Sequence, residues 1–268
     1  MATDTAADTP MLTIPPELYP NVDHLVTEDD TPVDNVFAEK QQRLLTEALH
    51  SSWGGPGPGR PFVAMSNVGL FYNVCQPPYV PDTLVSLDVA LPANIRLKAH
   101  RSYFVWLYGK PPDLVIEVVS NRDGGEATEK LAGYARLGIR YYTIFDPDGL
   151  LGNEPVRAYR LVGMNFQRLD EPVRFPDVGL GLCVWHGWYE DMEANWLRWT
   201  DAEGRLIPTG RERAEAEHQR AEAERQRAEA ERQRADSEHE RAEAERQRAD
   251  RLAQQLRRLG VDPEAGAR

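Results

Sequence analysis

The chain has 268 residues, with 31 Lys and Arg against 43 Asp and Glu, and a formal net charge of -12 at pH 7. Residues 211–259 hold 13 Arg and 13 acidic residues, so the whole acidic excess lies in the rest of the chain. An acidic body argues against nucleic-acid binding by unspecific phosphate attraction, and no run approaches the roughly 18 apolar residues that a membrane span needs.

Residues 1–33, rich in Pro and acids, read as a loose N-terminal arm, with LTIPPELYP placed to pack on the core. MATDTAADTP has no charged leader or apolar h-region, so it does not read as a signal peptide and a cytoplasmic location is expected. Asp34-Asn35 can cap a helix. Phe37, Ala38, Leu44, Leu45, Ala48 and Leu49 then recur on one helical face, until GGPGPGRP at 54–61 breaks the pattern.

Four apolar segments follow. PFVAMSNVGLFYNV (61–74) reads as one or two strands. TLVSLDVALP (83–92) alternates weakly and carries Asp88. RSYFVWLYG (101–109) is aromatic and extended. DLVIEVVS (113–120) is the near-continuous apolar run of a strand buried on both faces. From Glu126 the period becomes helical, with Leu131, Tyr134, Ala135 and Leu137 as core candidates and Gly138 as a C-cap. YYTIFDP (141–147) is a second buried strand. RAYRLVGMNFQRL (157–169) is predicted to be a hairpin turning near Val162-Gly163. PDVGLGLCVWHGWYEDM (176–192) is predicted to be a strand or edge segment, and WLRWTDAEGRLIPTG (196–210) a small hairpin turning at Glu203-Gly204. The span 34–208 is therefore expected to form one α/β domain.

From Arg213 a seven-residue repeat, RAEAERQ and its variants, runs without Gly or Pro. It predicts a charged helix over 209–260, a rod of roughly 70 Å. Only Ala recurs, which is not an a/d spacing, so a solvated single helix and an Ala-seamed coiled coil are equally consistent with it. Residues 261–268 are expected to be disordered. The two cysteines, Cys75 and Cys183, form no CxxC or Cys/His cluster, so they read as buried free thiols rather than zinc ligands. The six His residues have no ligand spacing either.

The chemistry concentrates in residues 111–147. Strand side chains alternate between faces, so Asp113, Val115 and Glu117 share one face. A carboxylate such as Glu117 in a dry strand needs a cation, a partner or a proton. Asp88 poses the same problem in its own strand. If the two strands are neighbours, Asp88 and Glu117 match what proteins offer Mg²⁺, which keeps several waters and takes few protein oxygens. Lys130 follows one loop and one helical turn later, where its ammonium can face the metal's water or transition-state charge. Tyr134, four residues on, shares its helix face. Plainer roles exist beside these: a turn or cap for Asp113, a solvated helix lysine for Lys130, a structural ion pair of Glu117 with Arg136 or Arg140, and turn chemistry for Asp146.

PDLVIEVVS followed by EKLAGYARLGIRYYTIFDP resembles the Uma family of restriction-endonuclease-like proteins. There a strand of the form P-D-hydrophobic-E-V-hydrophobic-S precedes a helix K-x3-Y-x3-G-V and a strand ending in DP. The likeness is close over 111–147 and loose over 34–208. It implies the α/β restriction-endonuclease-like core of the PD-(D/E)XK nuclease superfamily, a mixed sheet flanked by helices in the order α-β-β-β-α-β, with a long C-terminal α-helix added here. It also implies Mg²⁺-dependent phosphodiester hydrolysis, with Mn²⁺ as a substitute. Carried over residue by residue, Asp88 takes the place of the PD aspartate and Glu117 the acidic place of (D/E)XK, making both the expected metal ligands. Lys130 resembles the family's lysine moved from strand to helix, and Asp113 and Tyr134 are secondary candidates. Three positions depart from the pattern: Leu87 where the family usually has Pro, Val119 where the superfamily lysine sits, and Tyr141 where the family commonly has Glu.

The expected function is thus a Mg²⁺-dependent DNA endonuclease. It is expected to act as a homodimer, since duplex cleavage wants two sites, with the tail tuning assembly or holding a protein partner. The alternative is an inactive nuclease fold that works as a binding or scaffold protein through its helical tail, which the acidic charge favours. The nuclease reading requires the Asp88 and Glu117 carboxylates to lie within roughly 4–6 Å of one another, near enough to share one cation.

Overall fold

Residues 14–28, 35–122 and 124–258 are described by the computed structural model of the chain. Asp34, residues 1–13 and 29–33 of the predicted arm, and the segment 261–268 lie outside them. Within the arm, the residues that pack are Val22 and Leu25, against Phe71 and Phe104. Ile14 and Leu18, in the stretch expected to pack, are exposed instead.

Helix α1 (Val36–Ser52) begins where the Ala38 N–H donates to Asn35 Oδ1 at 2.9 Å, a cap that contributes about 1 kcal/mol. Its predicted stripe is buried from Ala38 to Leu49, with Phe37 partly buried beside it. Two glutamines interrupt that apolar face. Gln41 is held by both backbone groups of Leu197, each at 2.9 Å. Gln42 points toward the sheet and takes part in the site.

The strands that follow are β1 (Phe62–Met65), β2 (Leu70–Phe71), β3 (Thr83–Leu87), β4 (Tyr103–Phe104), β5 (Leu114–Val118), β6 (Tyr141–Phe145), β7 (Val156–Val162), β8 (Asn165–Arg168), β9 (Arg174–Phe175), β10 (Leu180–Tyr189) and β11 (Met192–Thr200). Six of them form a mixed sheet in the order β1-β3-β5-β6-β7-β8, with β5 and β6 parallel and the other pairs antiparallel. The parallel pair is joined by a crossover through a helical turn and α3 (Leu131–Arg136), as parallel strands require. A three-stranded sheet, β11-β10-β9, forms separately. On one face of β5, Leu114, Ile116 and Val118 pack with Leu45 and Leu49 of α1 and with Trp199 of β11. On the other, Val115 packs with Tyr134, Ile139 and Tyr142. This mixed sheet between helices is a restriction-endonuclease-like arrangement, with a long C-terminal helix added.

Several local expectations change. The aromatic run 101–109 is a two-residue strand followed by the short helix α2 (Val105–Tyr108), ended by Gly109 at φ 74°. The hairpin at 157–169 forms as β7 and β8, paired at Val162↔Asn165. The segment 176–192, expected as a single strand or edge segment, runs into a long hairpin of β10 and β11 that turns at Glu190-Asp191, where both residues have positive φ, as tight two-residue hairpin turns favour. The small hairpin expected at 196–210 forms beyond it: Thr200 pairs antiparallel with Leu206, and the turn at Glu203-Gly204 is built on the Asp201 carboxylate. Cys75 is exposed and Cys183 half-buried, so neither thiol is in the core.

The chain divides into two compact units, residues 1–210 and 211–268. In the second, α4 (Gly210–Arg258) is continuous helix with no buried residue. Arg211–Glu215 and Arg213–Glu217 pair along its surface at i,i+4. Among the described residues no helix is long and apolar enough to cross a membrane.

Candidate active site

Glu117 lies in β5 on the face turned toward α3 and is 1% exposed. Both of its oxygens are bonded. The Tyr134 hydroxyl donates to Oε1 at 2.5 Å and the Lys130 ammonium to Oε2 at 3.0 Å. Burial pushes the carboxyl up to about 8, against the pull of the Lys130 charge, and the charge of Asp82 adds to the rise. Burial works against the Lys130 ammonium as well, but the Glu117 charge and hydrogen bond, with Glu126 and Asp82, outweigh it and raise its pKa. Burial and the Glu117 charge raise the Tyr134 phenol well above its ordinary value, which keeps it a hydrogen-bond donor.

Lys130 reaches this point because of the backbone before it. Gly125 has φ +70°, a conformation that suits glycine. The Lys130 N–H donates to the Gly125 carbonyl at 3.0 Å, five residues back, so Glu126–Lys130 is a π-type turn. Such turns occur frequently at functional sites. The Tyr142 hydroxyl ties the turn to β6 by donating to the Glu126 carbonyl at 3.0 Å.

The second acid at this centre is Asp82. Strands β3 and β5 are antiparallel in the register Thr83↔Ile116. Continued by one residue, that register sets Asp82 opposite Glu117. Gln42 Nε2 donates to Asp82 Oδ1 at 2.6 Å, and the Val118 N–H donates to Oδ2 at 2.7 Å. The Glu117 carboxyl is among the groups that act on the Asp82 carboxyl. Burial raises the Asp82 pKa, opposed by the Val118 N–H, the Lys130 charge and Gln42.

The expected ligand Asp88 is not there. It follows the last residue of β3, at φ 59°, and is six residues from Asp82, about 20 Å along an extended strand. Its carboxylate forms an exposed bidentate pair with Arg60, both bonds 2.7 Å. The Arg60 hydrogen bond lowers its pKa. Asp113 is also at the far end of β5. It accepts from the Leu87 N–H and from Lys110, which also donates to the Leu87 carbonyl, so it fastens the end of β3 to β5. The predicted partners of Glu117 are elsewhere too: Arg140 lies 4.0 Å from Asp177, and Arg136 lines the neighbouring cleft. Asp146 ends β6 by accepting from the Leu150 and Leu151 N–H groups.

The structure therefore gathers Glu117, Lys130 and Tyr134, and excludes Asp88 and Asp113. Asp82, Gln42 and Glu126 are the members that sequence reasoning missed. A signal for Asp82 existed: Pro81-Asp82 carries the proline that Leu87-Asp88 lacks. Two carboxylates offer hard oxygen donors that fit a cation such as Mg²⁺, and burial raises the pKa of both. A third, Glu126, is 6% exposed and bonds Lys130 through Oε1 at 3.3 Å. Lys130 stands between Glu117 and Glu126. No group of three or more His, Cys, Asp or Glu side chains is arranged to hold a metal among the described residues.

An open cleft of about 810 Å³ lies beside this centre, lined by Tyr79, Gly124, Thr128, Lys130 and Arg136 among others. Lys130 belongs to both: its ammonium is bonded to the buried acids while its side chain is 30% exposed. Tyr79 packs tilted against Tyr134 with ring centroids 5.0 Å apart, and there is no room for a Cβ on Gly133 beneath its hydroxyl.

The model of one protein family, Uma2, described as "Putative restriction endonuclease", matches residues 29–178. That span contains every residue of the centre. No curated protein matches the chain.

Proposed function

The chain belongs to the Uma2 family, and from that premise we propose that it is a divalent-cation-dependent endonuclease, with Mg²⁺ as the natural ion and DNA as substrate. The observation that carries this reading is the cross-strand placement of Asp82 opposite Glu117, with the Lys130 ammonium bonded to the same carboxylate. In the proposal Asp82 and Glu117 hold the cation. When bound, the cation supplies Lewis acidity to a phosphoryl oxygen and to the attacking water.

The surrounding residues hold these groups in place. Gln42 and the Val118 N–H orient the Asp82 carboxylate from two directions. Tyr134 fixes Glu117 through its hydroxyl hydrogen bond to Oε1. Among the described residues, Lys130 is the one cationic group that reaches both the buried acids and the cleft. Its Nζ keeps its protons, and as a donor it stabilises negative charge developing on the phosphate in the transition state. A phosphate backbone in the cleft would find Lys130 and Arg136 among the residues that line it, a local positive charge on an otherwise acidic chain.

The test is nicking of supercoiled DNA in Mg²⁺ or Mn²⁺, with Asp82→Asn, Glu117→Gln and Lys130→Ala beside the unaltered chain. Cleavage that depends on the ion and is lost in all three variants is the expected result. Equal cleavage by all four proteins would mean that the activity comes from elsewhere.

A further inference from the structure

We propose that the free edge of β10 pairs with the same edge of a second copy of the chain, antiparallel and about a two-fold axis at His186. This stands on the geometry of the β9–β10–β11 sheet and is independent of the proposed function.

In an antiparallel ladder, alternate residues of a strand turn their N–H and C=O groups to one edge and the residues between them to the other. The Leu197 groups of β11 point away from β10, since both are bonded by the Gln41 amide. Val184 stands directly opposite Leu197. Its backbone groups therefore point away from β11, and so do those of Leu182, His186 and Trp188. The Leu182 N–H is taken by the Val173 carbonyl at 3.1 Å, where β9 runs alongside. Past that point β10 has no neighbouring strand on this side among the described residues. Val184 and Trp188 are 38% and 66% exposed, and the His186 side chain is 66% exposed.

An unpaired strand edge is a template for another strand, and proteins blunt such edges. Other edges here are blunted. Gln41 occupies the edge of β11 at Leu197, the His50 ring bonds the Ala64 carbonyl of β1 at 3.1 Å, and β8 is short and carries Arg168. The β10 segment 183–189, CVWHGWY, has no Lys, Arg, Asp, Glu or Pro. It is also held still. Lys40 of α1 donates to both the carbonyl and the carboxylate of Glu190 in the turn that follows, and Arg43 donates to the same carboxylate. An edge already ordered loses little entropy on pairing.

The occupant that fits is a second copy. The outward residues Val184, His186 and Trp188 are their own complement: an axis at His186 sets that residue opposite its equivalent, and Val184 opposite the second copy's Trp188 at each end. Every backbone donor in this set then meets an acceptor. The same register sets Trp185 opposite the second copy's Gly187, a bulky residue against one without a side chain. The formal net charge of -12 opposes association of copies in general, whereas 183–189 brings no formal charge to the contact. Three strand pairs make an interface at the low end of the specific range, under about 1,200 Å², so association in the micromolar range is expected.

Sedimentation velocity of the full chain, over a concentration series spanning that range, reads the dimer. Trp188→Lys and Val184→Lys each put a charge on the edge and are expected to weaken the dimer at least about tenfold. Leu252→Lys and Leu256→Lys, at exposed leucines of α4, are expected to leave it unchanged. A chain that stays monomeric throughout, a dimer untouched by the edge variants, or one lost only in the α4 variants overturns the proposal. A cysteine reads the register without adding charge. In a Cys75→Ser, Cys183→Ser background, His186→Cys places two thiols across the axis on Cα atoms about 5.5 Å apart, within the span of a disulfide. Mild oxidation is expected to link His186→Cys copies and not Asn195→Cys copies, whose cysteine is exposed on the neighbouring strand. Equal linking at both positions, or none at 186, overturns the proposal as well. Melting temperatures establish that each variant is folded.

Discussion

The Tyr134 hydroxyl donates to Glu117 Oε1 at 2.5 Å inside a face of the sheet closed to solvent. Phenylalanine would keep the ring and its packing against Tyr79 and Tyr142 but leave a buried carboxyl oxygen without its donor. A deletion of this kind costs about 1–3 kcal/mol. Tyr134→Phe is expected to lose that much in urea denaturation and to cleave DNA more slowly, with an unchanged circular dichroism spectrum. Unchanged stability and unchanged cleavage together would mean that the hydroxyl does not position Glu117.

Asp82 and Asp88 lie at opposite ends of one strand, and their substitutions should separate cleanly. Asp82→Asn is expected to reduce cation-dependent cleavage about a hundredfold or more. Asp88→Asn breaks only an exposed, solvent-screened pair with Arg60, and should leave cleavage intact. Loss of activity in Asp88→Asn with retention in Asp82→Asn would reverse the assignment.

Stability without metal should depend on pH through Glu117. Its carboxyl titrates near 8 in the folded chain against an ordinary value of 4.5. Between those values the folded state binds the extra proton, so stability falls as pH rises from about 4.5 to about 8. Asp82, also raised, acts in the same direction. Asp88 and Asp177 are lowered and act in the opposite sense, but only where pH falls below the usual carboxylate range. The melting temperature in chelator is therefore expected to be higher near pH 5 than near pH 8, with a flatter profile for Glu117→Gln. Parallel profiles for the two proteins would rule out Glu117 as the source.

Gly133 tests the wall of the cleft. On helix propensity alone, Gly→Ala within a helix gains about 1 kcal/mol. Here the added methyl would overlap the Tyr79 hydroxyl and ring edge, and a shift of that ring disturbs its packing against Tyr134. Gly133→Ala is expected to lower the melting temperature. A rise would mean that Tyr79 moves freely and that the wall is soft.

How much of this could be read from the sequence depends on how local each feature is. The strand–helix–strand unit around Glu117, Lys130 and Tyr134 is set by nearby residues: a Val/Ile/Leu run, a Gly-Gly loop and a helical period. It was legible for that reason. Asp82 was missed because its role depends on the pairing of distant segments. TLVSLDVALP reads as one strand through to Pro92, which puts Asp88 near its middle. The strand stops at Leu87, and antiparallel pairing brings its beginning, not its end, to Glu117. Pro81-Asp82 looks like a turn before a strand until the neighbouring strand is known. Gln42 was missed because a polar residue on an apolar helix face has no local cause. Its cause is Asp82, forty residues away.

The β3–β5 register has one more consequence. Strand side chains change face at every residue, so a slip of one position would turn one acid away from the other. A slip of two would keep the faces but move Asp82 about 7 Å along the strand. Glu117 is also paired across to Ile144 of β6, but β6 carries no acid, so the proposed cutting centre depends on the β3–β5 register. Cleavage by this chain would then report whether the middle of its sheet is correctly aligned, and a misfolded copy would be harmless to the nucleic acid around it.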